Sequence, residues 1–284
     1  MLAWPCDELV LYLQAAFPTF LLFNAALGVT TGVLIGACFG TSEGIIAKSA
    51  KKVISGAVTG VGVGFAGGLV GFVAGQAALL YIGTAFFNNT RSFEQIGFPL
   101  SRVAGWAVFG IFIGSVEGIR SRSGPKVRNG VLGGLCGGVV GGLAVEYIRY
   151  LSPPGGVSRL VGFLVLGFMI GIFYGFIENR LAGARLLLLN GEERNKTFLL
   201  TGKRTIVGMS ENTEVTLHGY ERVAPEHAVV TRVRGDYVLS KAGAEAGAGS
   251  RKAFWVNDER AESATLKDGD VIRVGEAQFR FSQR

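Results

Sequence analysis

GIFYGFIENRLAGARLLLLN, residues 171–190, contains the seam on which the reading of this chain turns. Up to Arg180 the sequence is apolar and rich in glycine, here four apart at Gly171 and Gly175; from Arg185 it breaks into short β-prone runs separated by turn residues. Working outward, residues 1–180 hold 33 glycines and 19 charged side chains, whereas residues 181–284 hold 11 glycines and 30 charged side chains. No single solvent suits both compositions. The first half reads as an all-α, glycine-zipper bundle of membrane helices. The second reads as an all-β, water-soluble sandwich.

Over all 284 residues the chain is 49% hydrophobic with a formal net charge of +7 and a mean hydropathy of +0.40. The charge divides into about +5 for residues 1–180 and +2 for the remainder. Basic residues concentrated beside apolar segments point to a bilayer partner rather than to nucleic acid, which calls for clustered Lys/Arg with aromatics on the soluble part. Cys6, Cys38 and Cys136 make no disulfide framework, and their apolar setting predicts small buried thiols. The N-terminus carries Asp7 and Glu8 and lacks a basic leader region, so no cleaved signal is expected.

Five stretches are long enough to cross about 30 Å of hydrocarbon: 20–39, 53–86, 103–116, 131–150 and 160–177. Residues 8–17, halted by Pro18, read as an interfacial amphipathic helix. Lys48, Lys51 and Lys52 fall between spans one and two; Arg120, Arg122, Lys126 and Arg128 between spans three and four; Arg180 and Arg185 follow span five. The positive-inside rule then places the N-terminus outside and the C-terminal domain in the cytoplasm, with a bacterial cytoplasmic membrane as the expected setting.

The first half also repeats itself. A shift of 74 residues carries Gly36, Gly40, Glu43, Gly44 and Ile45 onto Gly110, Gly114, Glu117, Gly118 and Ile119, and Lys52-Val53 onto Lys126-Val127. The stripes Gly56/60/64/68 and Gly130/134/138/142 match as well. The pattern predicts a duplicated helix–basic loop–helix hairpin plus a half unit. Small residues in one stripe let helix backbones approach in lipid, where hydrophobic force between helices is weak. Three uses stay open: packing within one chain, a homo-oligomer through the stripes, or the lining of a solute path. Glu43, Glu117 and Glu178 end three spans, and Glu146 lies within the fourth; carboxylates at such depth imply either pairing or ion handling. Lys48, Arg120, Arg180 and Arg149 are the expected respective partners of Glu43, Glu117, Glu178 and Glu146.

In the second half, Leu186–Leu189, Gly191, Thr197-Phe-Leu-Leu and Thr205-Ile-Val-Gly208 lead to Glu214-Val-Thr-Leu217 and Val223-Ala-Pro-Glu-His227-Ala228. Val256-Asn257, then Leu266-Lys-Asp-Gly-Asp270-Val-Ile-Arg-Val-Gly275 and Phe279-Arg-Phe281, follow in order. This series, about 100 residues long, resembles a forkhead-associated (FHA) domain. The resemblance implies a β-sandwich reading phosphothreonine peptides through loops at one end, where a dianionic phosphate needs an Arg, a hydroxyl and loop donors. The chain departs from that pattern at each such position. Met209 stands for the Arg, Ala224 for the Ser, and Lys252-Ala253 for the Asn-Gly. The ligand edge is therefore read as degenerate, comprising Met209, Arg222, Ala224, Ser250, Arg251 and Lys252, with His227 as a hydrogen-bonded structural residue.

Two histidines, His218 and His227, offer no nucleophile–base set, and no metal or nucleotide motif occurs; no enzyme activity and no cofactor is expected. The expected function is a membrane-anchored scaffold or adaptor that presents an FHA-like domain to a cytoplasmic protein partner, a phosphoprotein among the candidates. The alternative is a small channel or transporter regulated by that domain.

Overall fold

A computed structural model describes residues 3–85, 93–151, 155–210, 213–217, 219–243 and 252–283. It divides into two compact units, Met1–Arg180 and Leu181–Arg284. The first is all helix: α1 (Ala3–Tyr12), a 3₁₀ turn (Gln14–Ala16), α2 (Phe20–Ile46), α3 (Ala50–Ala85), a π turn (Phe93–Gly97), α4 (Phe98–Arg120), α5 (Gly124–Leu151) and α6 (Gly156–Leu181). Five of these are long and apolar enough to cross a membrane: Phe20–Ile46, Ala50–Ile82, Phe93–Arg120, Gly124–Leu151 and Gly156–Leu181. The first, third and fifth run past the C-terminal limits expected from sequence, because their last turns continue through Glu43, Glu117 and Glu178 instead of stopping at the edge of the apolar run; the second starts three residues earlier than expected, at Ala50.

Local signals set the helix ends. Pro18 precedes an extended Thr19 whose hydroxyl accepts the Leu22 N–H at 3.2 Å, capping α2. The α2–α3 and α4–α5 turns are built alike. Lys48 and Arg122 each sit in the left-handed region at φ 50°. Lys48 N–H bonds the Ile45 carbonyl and Ser49 N–H that of Gly44; Arg122 and Ser123 do the same with Ile119 and Gly118. Both are six-residue Schellman closures with a charged residue where glycine is customary. Lys48→Gly and Arg122→Gly are therefore each expected to stabilise the bundle by about 1 kcal/mol, read as a rise in melting temperature in detergent.

Glycine decides the packing. Gly28, Gly32, Gly36 and Gly40 of α2 face Gly68, Gly64, Gly60 and Gly56 of α3, backbone against backbone. Gly110 and Gly114 of α4 face Gly134 and Gly130 of α5 in the same way. The next face of α3 then takes α4, with Gly71 against Gly105; the next face of α5 takes α6, with Gly133, Gly137 and Gly141 against Tyr174, Ile170 and Leu166. Glycine normally costs a helix about 1 kcal/mol relative to alanine, and here it permits an approach that a Cβ would forbid. The stripes are thus occupied within the chain, and a homo-oligomer formed through them would have to displace a hairpin partner.

Two expectations need correcting. Residues 8–17 do not form one interfacial helix: α1 ends at Tyr12 and docks by burying Ala3 and Asp7. All three cysteines are exposed rather than buried, Cys38 and Cys136 on helix faces that glycine does not line.

The second unit is a two-sheet sandwich. One sheet runs, neighbour to neighbour, through the strands at 197–200, 184–188, 277–283, 271–274, 254–256 and 259–261, and the other through those at 215–216, 204–208, 228–233, 236–241 and 263–266. The strands are β1 (Ala184–Leu188), β2 (Thr197–Leu200), β3 (Arg204–Gly208), β4 (Val215–Thr216), β5 (Ala228–Val233) and β6 (Asp236–Lys241). They continue with β7 (Phe254–Val256), β8 (Glu259–Ala261), β9 (Ser263–Leu266), β10 (Val271–Val274) and β11 (Ala277–Gln283). Alternation sends Leu186, Leu188, Phe279, Phe281, Ile272 and Val274 inward to meet Val207, Val230, Tyr237 and Leu239 of the facing sheet. This is the all-β sandwich the sequence pattern implies. The β8 and β9 strands were not separable in sequence, since runs of three and four residues carry too little periodicity.

Candidate functional site

Three loops meet at one end of the sandwich, and His227 ties them together. Gly208 closes β3, and a Cβ there would strike the carbonyls of Pro225 and Ala224. That close approach lets Met209 N–H bond the Ala224 carbonyl at 3.0 Å and Ser210 N–H the Pro225 carbonyl at 2.9 Å. The His227 ring is fully buried. Its Nδ1 accepts the Ala224 N–H at 3.1 Å, so Nε2 carries the proton and donates to the Ala253 carbonyl at 3.0 Å. Lys252 donates from Nζ to the Ala242 carbonyl at 2.6 Å.

Met209, Ala224 and Lys252 are thus gathered on three adjoining loops. Arg222 lies two residues before Ala224 on the same loop; it adopts φ 60°, and its backbone lies against Gly275 in the β10–β11 turn. Ser250 and Arg251 lie outside the described residues, as does His218. Chemically the edge is poor in anion donors. The N–H groups of Met209, Ser210 and Ala224 are already spent on protein acceptors, and Met209 presents an exposed thioether where a phosphate reader needs a guanidinium. Opposite this edge the scaffold residues are firmly held. Asn257 donates to Asp270 at 2.8 Å and accepts the Val271 N–H at 2.9 Å, while Asp270 accepts the Lys267 N–H at 2.7 Å.

Burial lowers the His227 pKa below its ordinary 6.5, with Lys252 adding to the effect and the Ala253 hydrogen bond opposing it. The unfolded chain therefore takes up this proton first. Stability supplied by neutral His227 is complete above pH 6.5 and is lost as pH falls below that value. Denaturant midpoints of the second unit should fall between pH 7 and pH 5, at up to about 1.4 kcal/mol per pH unit. His227→Gln should remove that component of the slope.

In the first unit the carboxylates form two groups. At the end bearing the α2–α3 and α4–α5 turns, Arg120 bridges Glu117 at 2.6 Å and Glu43 at 3.1 Å, with Lys126 at 3.8 and 3.9 Å from the same two oxygens. Glu43 therefore pairs across helices with Arg120 and Lys126, not with Lys48 as expected; the αL turn carries Lys48 out of the seam. Glu117 has its expected partner. Glu178 is hydrogen-bonded to Tyr174, while Arg180, its expected partner, lies over the Phe176 ring at 5.1 Å. Toward the other end of α5, Glu146 meets Arg149 at 2.8 Å and Arg102 at 3.5 Å. Glu8 takes a two-pronged hydrogen bond from Arg159, both contacts at 2.7 Å, and the Trp4 indole N–H at 3.0 Å. Asp7 accepts the Thr31 hydroxyl at 2.8 Å, and burial pushes its carboxyl up to about 6.

Glu43 and Glu146 do not share a cavity. Lys126, which faces Glu43, and Glu146 are twenty residues apart on α5, roughly 30 Å along the helix. Sequence spacing placed Glu43 and Glu117 at equivalent positions but did not reveal that one arginine bridges them. The clamp between Glu8 and Arg159, 151 residues apart, had no signal in sequence.

Residues 187–284 match the family model described as the cytoplasmic domain of an inner membrane component of T3SS. Among solved structures, the FHA domain of CT664 protein from Chlamydia trachomatis is 19% identical, covering 36% of this chain and 97% of its own, with a TM-score of 0.30. The N-terminal FHA domain of Rad53p from S. cerevisiae, solved with a phosphothreonine peptide, is 15% identical, covering 36% and 93%, with a TM-score of 0.30. An FHA domain studied for phosphothreonine-dependent interactions is 22% identical, covering 36% and 96%, with a TM-score of 0.31. A comparison with curated proteins returns no match.

Proposed function

We propose that this chain is a membrane-anchored adaptor, a non-enzymatic component of an inner-membrane assembly, whose glycine-packed helices hold an FHA-like domain in the cytoplasm. The match of residues 187–284 to a cytoplasmic domain of a secretion-system membrane component supports that placement. Five membrane-length helices precede the domain, and the basic α2–α3 and α4–α5 turns put their shared end on the cytoplasmic side, with the N-terminus outside. The duplicated hairpin serves as a rigid anchor: its seams are filled by main chain, which disfavours the transport reading.

The observation that carries the adaptor reading is the ligand edge itself. It keeps the FHA-like scaffold and has lost the phosphate chemistry, through Met209, Ala224 and a Lys252 turned back onto Ala242. The partner is accordingly a protein recognised without a phosphothreonine. The test is a backbone NMR titration of residues 181–284 with a degenerate phosphothreonine peptide pool and its unphosphorylated counterpart. Equal or absent shifts at Met209, Ala224 and Lys252 are expected. Phosphate-dependent shifts there would overturn the reading.

A further inference from the structure

The outer face of the six-stranded sheet carries a charge asymmetry that neither the core nor the ligand edge uses. Strand register places Arg280 between Leu187 of β1 and Val271 of β10. It places Arg273 between Gln278 of β11 and Trp255 of β7, and Arg260 of β8 beyond Trp255. Arg185 is two residues from Leu187 and so shares its side of the pleat. Four arginines therefore line one face, and no acidic strand residue in register with them shares it. The unit as a whole holds 16 basic and 14 acidic residues, so this segregation is a local feature and not an average.

Arg260 has a carboxylate near it, Glu262, which Lys241 already holds at 2.8 Å. Among the described residues none of the four makes an ion pair with a carboxylate, and Arg185, Arg260 and Arg280 are exposed. Arg273 lies over the Trp255 ring at 4.6 Å, and its buried Nε has no acceptor. An indole beneath one guanidinium, and half-buried Leu187 and Val271 on either side of Arg280, make the mixture of aromatic, cation and aliphatic that suits a bilayer interface. Arg185 is the fourth residue after Leu181, the last of α6, so at most roughly 14 Å of chain separates it from the end of that helix.

We propose that this arginine face docks on anionic phospholipid headgroups. The inference rests on the reading of α6 as a membrane span. Charge complementarity supplies the attraction, at about 1 kcal/mol per basic residue near an anionic surface. The tether favours a lipid surface over a free acidic protein, because it keeps the face within reach of headgroups at all times.

The second unit has its own closed core, so residues 181–284 serve as a separate domain. Its co-sedimentation with vesicles of phosphatidylcholine alone, and of phosphatidylcholine with phosphatidylglycerol, is the test. Binding only to the anionic vesicles is expected, weakening between 0.1 and 0.5 M NaCl as screening shortens the field, from about 10 Å to about 4 Å. Arg185→Gln/Arg273→Gln/Arg280→Gln should lose roughly a hundredfold in partition coefficient, about fivefold per arginine. Lys203→Gln/Arg234→Gln/Lys267→Gln removes the same charge elsewhere and should retain at least a tenth of the binding. Equal binding to both vesicles, no binding at low salt, or equal losses in the two triple variants would overturn the proposal. Binding of a soluble poly-glutamate peptide through the same arginines, without vesicle binding, would overturn it in favour of an acidic protein partner. Carbonate extraction of the full chain reports on the membrane reading independently: retention in the pellet leaves that reading standing whatever the domain does.

Discussion

Gly60→Leu is expected to abolish the α2–α3 hairpin, whereas Gly62→Leu, two residues along the same helix, leaves it folded. A Cβ at position 60 would fall 2.7 Å from the Gly36 carbonyl carbon and closer still to its oxygen, whereas nothing lies within 4 Å of a Cβ at position 62. Overpacking of side chain on side chain costs 1–3 kcal/mol because rotamers can yield. Here the obstacle is helix backbone, which yields only by separating the two helices along their length. A loss of about 4 kcal/mol or more follows, enough to deplete the folded state. At position 62 leucine meets open space and improves helix propensity by somewhat under 1 kcal/mol. Melting curves in detergent, read by size-exclusion recovery after heating, separate the two. Equal tolerance at both positions would mean that the stripe does not hold the hairpin.

The second large effect is expected at Arg120, whose guanidinium binds carboxylates from two helices. Arg120→Gln removes the closest cation from Glu117 and Glu43 and leaves Lys126 at 3.8 and 3.9 Å, with Lys52 adding a weaker attraction. Removing one member of a largely buried charge group typically costs about 3–5 kcal/mol, mostly from the charges left behind. The triple variant Glu43→Gln/Glu117→Gln/Arg120→Gln removes those charges as well and should regain most of the loss. The same melting assay decides: a triple variant no better than the single one would show that the arginine acts through packing and not through its charge. Full carbonate-resistant insertion of all three variants is expected, since the clamp fastens helices that are already inserted.

The sequence showed much of this architecture because lipid imposes strict rules. Long apolar runs must be helical to satisfy their backbone groups, and clusters of basic residues mark the turns between them. Gly56, Gly60, Gly64 and Gly68 announced a close approach, but not which helix would make it; antiparallel packing against α2 follows from a turn only three residues long, at 47–49. Salt-bridge partners were less accessible. Glu43 reaches Arg120 of a non-adjacent segment, a pairing set by how two hairpins pack and not by spacing along one of them. Cys38 and Cys136 were misjudged for a related reason: in a membrane bundle an apolar neighbourhood includes the lipid-facing side, so apolar flanks do not imply burial.

In the second unit, alternation and turn residues carried the sandwich, and the His227 bridge between Ala224 and Ala253 matches the structural role expected of it. The ligand edge was only partly legible. Met209 and Ala224 sit on loops joined by a backbone hydrogen bond, and the left-handed backbone of Arg222 packs against Gly275, a contact that spacing does not show. The Lys252 ammonium had no sequence signal for its hydrogen bond to Ala242, ten residues away.

Protease protection of the full chain in sealed inverted membrane vesicles tests the central claim most directly. With the cytoplasmic face outward, cleavage near the seam should release residues 181–284 as a soluble fragment while the helices remain in the carbonate-washed pellet. Release of the fragment only after detergent is added would put the domain on the opposite side of the membrane and contradict the account.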